Sequence, residues 1–115
     1  MTEITGITLD PKQNMTLVLP DNSTAPFYLE YIDSQQGWFF SISYGSNWTG
    51  VTYQRIVTGA NMLRAYRNII PFGLGCMTTD GLEPIFISDF FNGRASLFIL
   101  DSIDVQSFEG ILNVN

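Results

Sequence analysis

Asp80, Glu83 and Asp89 form the densest acidic group in the sequence, and paired carboxylates are what a glycosidase sets across a sugar cleft. All three flank the turn signals Asp80-Gly81 and Asn92-Gly93, where acidic side chains ordinarily cap backbone amides or face water. Capping is the stronger reading. Asp101-Ser102-Ile103-Asp104 and Asp80-Gly81 look like fragments of calcium loops, yet neither has the regular oxygen-ligand spacing of one. No metal and no cofactor are expected. Cys76 is the single cysteine, which leaves it without an intrachain disulfide partner or a cysteine-rich metal site. It lies in an apolar alternating run with no cation nearby in sequence, the setting of a buried, inert thiol rather than a nucleophile. There is no His, which removes the commonest general base and the commonest ligand of catalytic zinc. These residues do not point to an enzyme.

The cations and aromatics carry more. Arg55, Arg64 and Arg67 cluster in sequence, with Lys12 and Arg94 as the only other cations. They either balance surface carboxylates or make a polarised face that docks an acidic neighbouring subunit. Aromatic residues make up 14% of the chain, nine of them Phe, and most must be core. Phe39, Tyr28, Phe98 and Phe108 nevertheless fall on faces where the alternation predicts solvent. Excess apolar surface is what a subunit of a permanent assembly carries. Arg55, Arg64, Arg67, Phe39 and Phe108 are therefore the candidate interface residues. The rival reading is a non-catalytic carbohydrate-binding β-sandwich, with Trp38, Trp48 or Tyr53 stacked on sugar rings and Asn47-Trp48 in a loop as its sequence candidate.

The elements that position these residues are short and read as strands. Gln13 to Leu19 and Phe27 to Ile32 alternate about the polar break Pro20-Asp21-Asn22-Ser23. Ser34-Gln35-Gln36-Gly37 looks like a hairpin loop. After it, Trp38 to Tyr44 sets Trp38, Phe40, Ile42 and Tyr44 opposite Ser41 and Ser43, the pattern of a half-buried antiparallel strand. Val51 to Val57 and Ile69 to Cys76 follow, and Gly73 and Gly75 leave room for a backbone or a large aromatic. Asn61 to Asn68 has a helical face of at most two turns, with Asn61 as its cap. Ile85 to Phe91 and Ser96 to Leu100 are further candidate strands. The tail from Ile103 to Asn115 is mixed and reads as a last strand or an arm. Six to eight short strands at this spacing predict an all-β domain, a small antiparallel β-barrel or β-sandwich with at most one short helix. The expected division is 1–14 as an N-terminal arm or first strand, 15–101 as the β domain and 102–115 as a C-terminal extension.

Composition narrows the partners. At 115 residues the chain has room for one domain, and 45% hydrophobic residues suffice for one core. Only 14% of residues are charged and the net charge is −6, which disfavours nucleic acid and anionic membrane surfaces as partners. The longest apolar stretch, Ile69 to Met77, is broken by Pro71, Gly73 and Gly75 and is too short for a membrane span. The first ten residues lack a signal-peptide pattern, so assembly in a cytoplasm is expected and the three Asn-x-Thr/Ser sequons are incidental.

One ordered set of short motifs is more specific than any of its parts. It comprises Trp38-Phe39-Phe40-Ser41-Ile42, Gly59-x-Asn61-x-Leu63, Phe72-Gly73, Asp80-Gly81-x-x-Pro84, Asp89-x-Phe91-x-Gly93 and Leu97. In order and spacing it resembles the baseplate plug proteins of contractile-tailed phages, best known from cyanophages, over about Met15 to Asp101. The resemblance implies a structural virion protein without catalysis, in the tail baseplate. It also implies a place on the axis where tail tube, hub and spike meet, and partners that include those proteins. A ring of identical subunits, a trimer or a hexamer, is the expected form. The family brings no catalytic or ligand residues to carry over.

Overall fold

Alternation of period two turns into two antiparallel sheets because each strand has one face it must bury. The computed structural model describes residues 2–45, 48–59, 61–66 and 69–112, with side chains described for all of these except 48, 49 and 108–112. The strands are β1 (Thr2–Ile4), β2 (Lys12–Val18), β3 (Thr24–Ile32), β4 (Gly37–Tyr44), β5 (Trp48–Arg55), β6 (Gly73–Thr78) and β7 (Ala95–Leu100). One α-helix, α1 (Ser102–Leu112), ends the described chain, and single 3₁₀ turns lie at Asp33–Gln35 and Arg64–Tyr66. The first sheet has the order β2-β3-β4-β5 and the second β1-β7-β6, every pair antiparallel. Neither closes on itself, so of the two architectures expected the sandwich is the one formed.

Between the sheets lies a single apolar cluster. Leu17, Phe27, Leu29, Phe40 and Ile42 come from the four-stranded sheet, and Leu74, Cys76, Leu97 and Ile99 from the other. Aromatic edges seal it, with Trp38 against Phe90 and Tyr44 against Phe72 at ring-centroid distances of 5.6 and 5.4 Å. Cys76 is wholly buried, and burial pushes its thiol pKa up to about 12.

Three segments differ from the sequence expectation, and the first is Ile69 to Cys76, of which Ile69 to Phe72 is turn and irregular chain and only Gly73 onward is strand. Ile85 to Phe91 forms turns rather than a strand, because the Asp89 carboxylate binds its backbone amides. Ser102–Leu112 forms a helix rather than a strand. Its start is a reciprocal capping box, in which the Asp104 amide donates to Asp101 Oδ1 at 2.8 Å and the Asp101 amide to Asp104 Oδ2 at 3.3 Å. The two carboxylates that resembled part of a calcium loop thus satisfy the first orphan donors of α1. The expected cap at Asn61 is present, although the helix it serves is only a 3₁₀ turn. Asn61 Oδ1 accepts the Leu63 amide and, across the fold, the Leu74 amide, both at 3.0 Å. Gly73 does receive a close neighbour. A Cβ there would meet Asn61 Oδ1 and Val105 Cγ2 at 2.7 and 2.8 Å, so an amide and a valine of α1 fill the space expected for a backbone or an aromatic.

A thiol this buried and this far from ionising has no route to reagent while the sandwich is closed. Native protein is expected to leave Cys76 unlabelled by a thiol-disulfide reagent at pH 8 and to release one equivalent on denaturation. Labelling of the native protein at the rate of an exposed thiol would contradict this burial.

Candidate interaction surface

The residues from Thr79 to Arg94 link β6 to β7, and Arg94 organises them. Its Nη1 lies 2.7 Å from Asp89 Oδ2 and its Nη2 lies 3.1 Å from Asp80 Oδ2, while both nitrogens donate to the Glu83 carbonyl at 3.2 Å. Asp89 is 1% exposed, so its charge is removed from water and this ion pair is its chief compensation. The same carboxylate oxygen accepts the amides of Ile85 and Phe86 at 2.8 and 2.9 Å. On the other side of these two peptides, Tyr31 Oη donates to the Ile85 carbonyl at 2.7 Å and Trp38 Nε1 to the Phe86 carbonyl at 3.1 Å. Glu83 reaches out of the loop to accept the Thr58 amide at 2.8 Å. Asp80, Glu83 and Asp89 are caps and braces, as their place beside turns predicts.

This bracing holds apolar side chains in water. Leu82, Phe86 and Phe91 are 64%, 59% and 60% exposed, and Ile85 is partly exposed beside them in sequence. Next to Phe91 a hollow of about 270 Å³ is lined by Ile4, Ile7, Phe90 and Leu97 among others. An apolar loop left to itself would collapse onto the core. Here its carbonyls and amides are bound to fixed groups, so the side chains stay outside. The exposed phenylalanines are what sequence reasoning missed. The Asp89-x-Phe91-x-Gly93 motif is a signal for Phe91 but not for Phe86, and alternation assigns the whole stretch to a strand.

The candidate interface residues fare differently. Arg55 and Phe39 are brought together as cross-strand partners, with the guanidinium 5.1 Å from the Phe39 ring centroid. Arg55 also donates to the carbonyls of Gln35 and Gln36 at 2.6 and 3.5 Å, and a Cβ at Gly37 would collide with it. This explains why Phe39 is buried although it lies on the outward face of its sheet. Arg64 is exposed in its 3₁₀ turn. Arg67 lies outside the described residues, as does the side chain of Phe108. Tyr28 and Phe98, the other two aromatics expected in solvent, are partly buried.

Of the aromatics in the carbohydrate reading, Trp38 is fully buried and cannot stack on a sugar. The side chain of Trp48 lies outside the described residues. Tyr53 is exposed, at φ +51° in a bulge of β5, but its hydroxyl is held by Glu30 Oε1 at 3.2 Å. Tyr28 donates to the same oxygen at 2.7 Å, which pushes its pKa up to about 12. Among the described residues no group of three or more Cys, Asp or Glu side chains is placed to hold a metal ion. No described helix is long and apolar enough to cross a membrane.

A small sandwich with an apolar loop held in solvent offers a surface of the kind structural proteins use to contact other proteins. Comparison with known families agrees, since residues 1–102 match the family described as cyanophage baseplate Pam3 plug gp18. The chain belongs to this family of phage baseplate plug proteins and is a structural component of the tail baseplate in the virion. The match includes β1 and the segment before Met15, and it ends at the start of α1. No curated protein matches the chain.

Two outcomes follow from the way these carboxylates are held. Arg94→Met strands the buried Asp89 carboxylate, and urea unfolding should show a loss of about 3–5 kcal/mol, partly restored by adding Asp89→Asn. A loss no larger than that of an ordinary surface substitution would show that the brace does not hold the loop. The second concerns pH. Asp80 is held below the ordinary aspartate value of 3.8, first by the Leu82 amide and then by Arg94, with burial opposing. Asp21 is held below it by the Ser23 hydroxyl and amide and by the Tyr44 hydroxyl. Carboxyls lowered by folding stabilise above their unfolded pKa and lose that contribution as pH falls through the folded value. The urea midpoint is expected to be level from about pH 7 to pH 5 and to drop below about pH 4.

Proposed function

We propose that this chain acts as a non-catalytic, ring-forming plug of a contractile tail. It closes or adapts the axial channel between tail tube, hub and spike until contraction drives the spike outward. No cofactor takes part, and the subunits assemble in the host cytoplasm. The observation that carries this reading is the braced loop with Leu82, Phe86 and Phe91 in solvent, in a member of a baseplate plug family. Side chains so exposed, on backbone so fixed, dock with little backbone ordering cost and suit the centre of a protein interface. The hollow beside Phe91 offers a matching recess for a neighbour's side chain.

A ring of three or six copies needs a heterologous contact whose rotation closes. Arg55 is committed within its own subunit, so of Arg55 and Arg64 it is the exposed Arg64 that is available to meet an acidic neighbour. The chain's net charge of −6 supplies acidic surface for such a contact.

The test is assembly. In the phage that encodes the protein, Phe86→Ser combined with Phe91→Ser should block incorporation into particles while the isolated protein keeps its unfolding midpoint. Arg64→Glu should weaken subunit association in light scattering and impair particle formation. Normal particles from both variants would refute these contacts.

A further inference from the structure

Every open sheet ends in two strands whose outer main-chain groups lack a partner, and natural sandwiches usually blunt them. Three of the four edges in this fold are managed. β1 is only three residues long. The outer edge of β6 is covered by the segment before it, with the Gly59 amide on the Cys76 carbonyl at 3.4 Å and the Met62 amide on the Leu74 carbonyl at 2.8 Å. β5 is distorted by two register shifts against β4, with Gly50 and Tyr53 at positive φ. β2 has none of these devices. It is seven residues long, its register with β3 is unbroken, and it contains no Gly or Pro. Its single charge, Lys12, stands at its first position.

The phase of the ladder shows which groups are free. The Tyr31 amide donates to the Pro11 carbonyl at 2.7 Å, and the Leu19 amide donates to the Ser23 carbonyl at 2.8 Å. Between these two ends the register is continuous, so Gln13, Met15 and Leu17 bond β3. The amides and carbonyls of Lys12, Asn14, Thr16 and Val18 therefore point away from the sheet. Pro26, which has no amide to give, stands opposite Thr16, where this phase requires none. All four outward residues are exposed, Val18 to 62%.

We infer that this edge pairs with the same edge of a second copy of the chain, antiparallel about Met15. In that register Lys12 faces Val18 of the second copy and Asn14 faces its Thr16, and each of the four outward residues finds a hydrogen-bonding partner. No like charges meet. The Lys12 stem covers the exposed Val18 side chain, and the half-buried Met15 meets its own counterpart on the core side. β2 joined to β2 makes one continuous eight-stranded sheet from two four-stranded ones. This contact is two-fold, so it is separate from any cyclic contact of a ring and does not depend on the ring reading.

The register gives the test its sign. Purified full-length protein is examined by light scattering over a concentration series and by residue-resolved hydrogen exchange. Even-numbered species are expected, and the amides of Asn14, Thr16 and Val18 should gain protection as concentration rises. Those of Met15 and Leu17 should be protected throughout. Thr16→Pro removes an outward amide without touching the β3 ladder and should weaken pairing about tenfold or more. Val18→Lys sets like charges opposite each other at both ends of the pair, and Val18→Glu sets opposite ones. The first should weaken association and the second strengthen it, each roughly fivefold, with native circular dichroism in both. If Thr16→Pro fails to fold, the Val18 pair alone decides. Loss of the pair in Thr16→Pro with a trimer remaining would support both contacts. Asn14 and Thr16 amides that exchange freely at every concentration would overturn the pairing and leave the edge to a strand of a different protein. So would equal association of Val18→Lys and Val18→Glu.

Discussion

A buried carboxylate, Asp89, holds the connection from β6 to β7 in place. Burying it requires a cation, and Arg94 supplies one from the base of β7 at 2.7 Å. With its charge compensated, the same oxygen can bind two consecutive amides, which turns the chain at Ile85 and Phe86 and aims their carbonyls at Tyr31 and Trp38. One ion pair in the connection from β6 to β7 is thereby tied to the aromatic strands of the opposite sheet. This chain of contacts, with the turn bonds from the Asn92 amide to the Ser88 carbonyl and from the Ala95 amide to the Asp89 carbonyl, fixes the backbone that carries the exposed phenylalanines.

The aromatic content divides between two tasks. On the inner face, Phe27, Phe40, Trp38 and Phe90 fill the space between the sheets. On the outer face of the four-stranded sheet, Phe39 lies under Arg55, and Tyr28 and Tyr53 converge on Glu30. That face is finished within the subunit, and its aromatic rings are largely spoken for. Apolar side chains stay exposed on the braced loop, and the outward main-chain groups of β2 have no partner strand.

Much of the fold was legible because strands declare themselves locally. Trp38 to Tyr44 and Gln13 to Leu19 alternate with the period of the pleat, and they form β4 and β2. Asp80 and Asn61 cap because short polar side chains reach amides two residues on. The helix after Asp101 was not read, although its signal, two carboxylates three residues apart before an apolar run, is a local one. The braced apolar loop was legible only as the motif around Phe91. Alternation assigns Ile85 to Phe91 to a strand, and only the distant hydroxyl of Tyr31 and indole of Trp38 say otherwise. Phe39 was placed in water because its cover, Arg55, belongs to another strand.

What the sequence determined alone was the class of fold, the absence of histidine chemistry and the family resemblance carried by its motif order. Periodicity, composition and spacing are properties of neighbouring residues, and no folding is needed to read them. Tertiary structure decided which arginine would be spent on Phe39, which would neutralise Asp89, and which hydrophobic side chains would be left in water. Those outcomes depend on pairing between residues far apart in the chain, where burial makes a charge costly unless its partner arrives. Strand alternation specifies two faces. It takes the closed sandwich to decide which of them is covered.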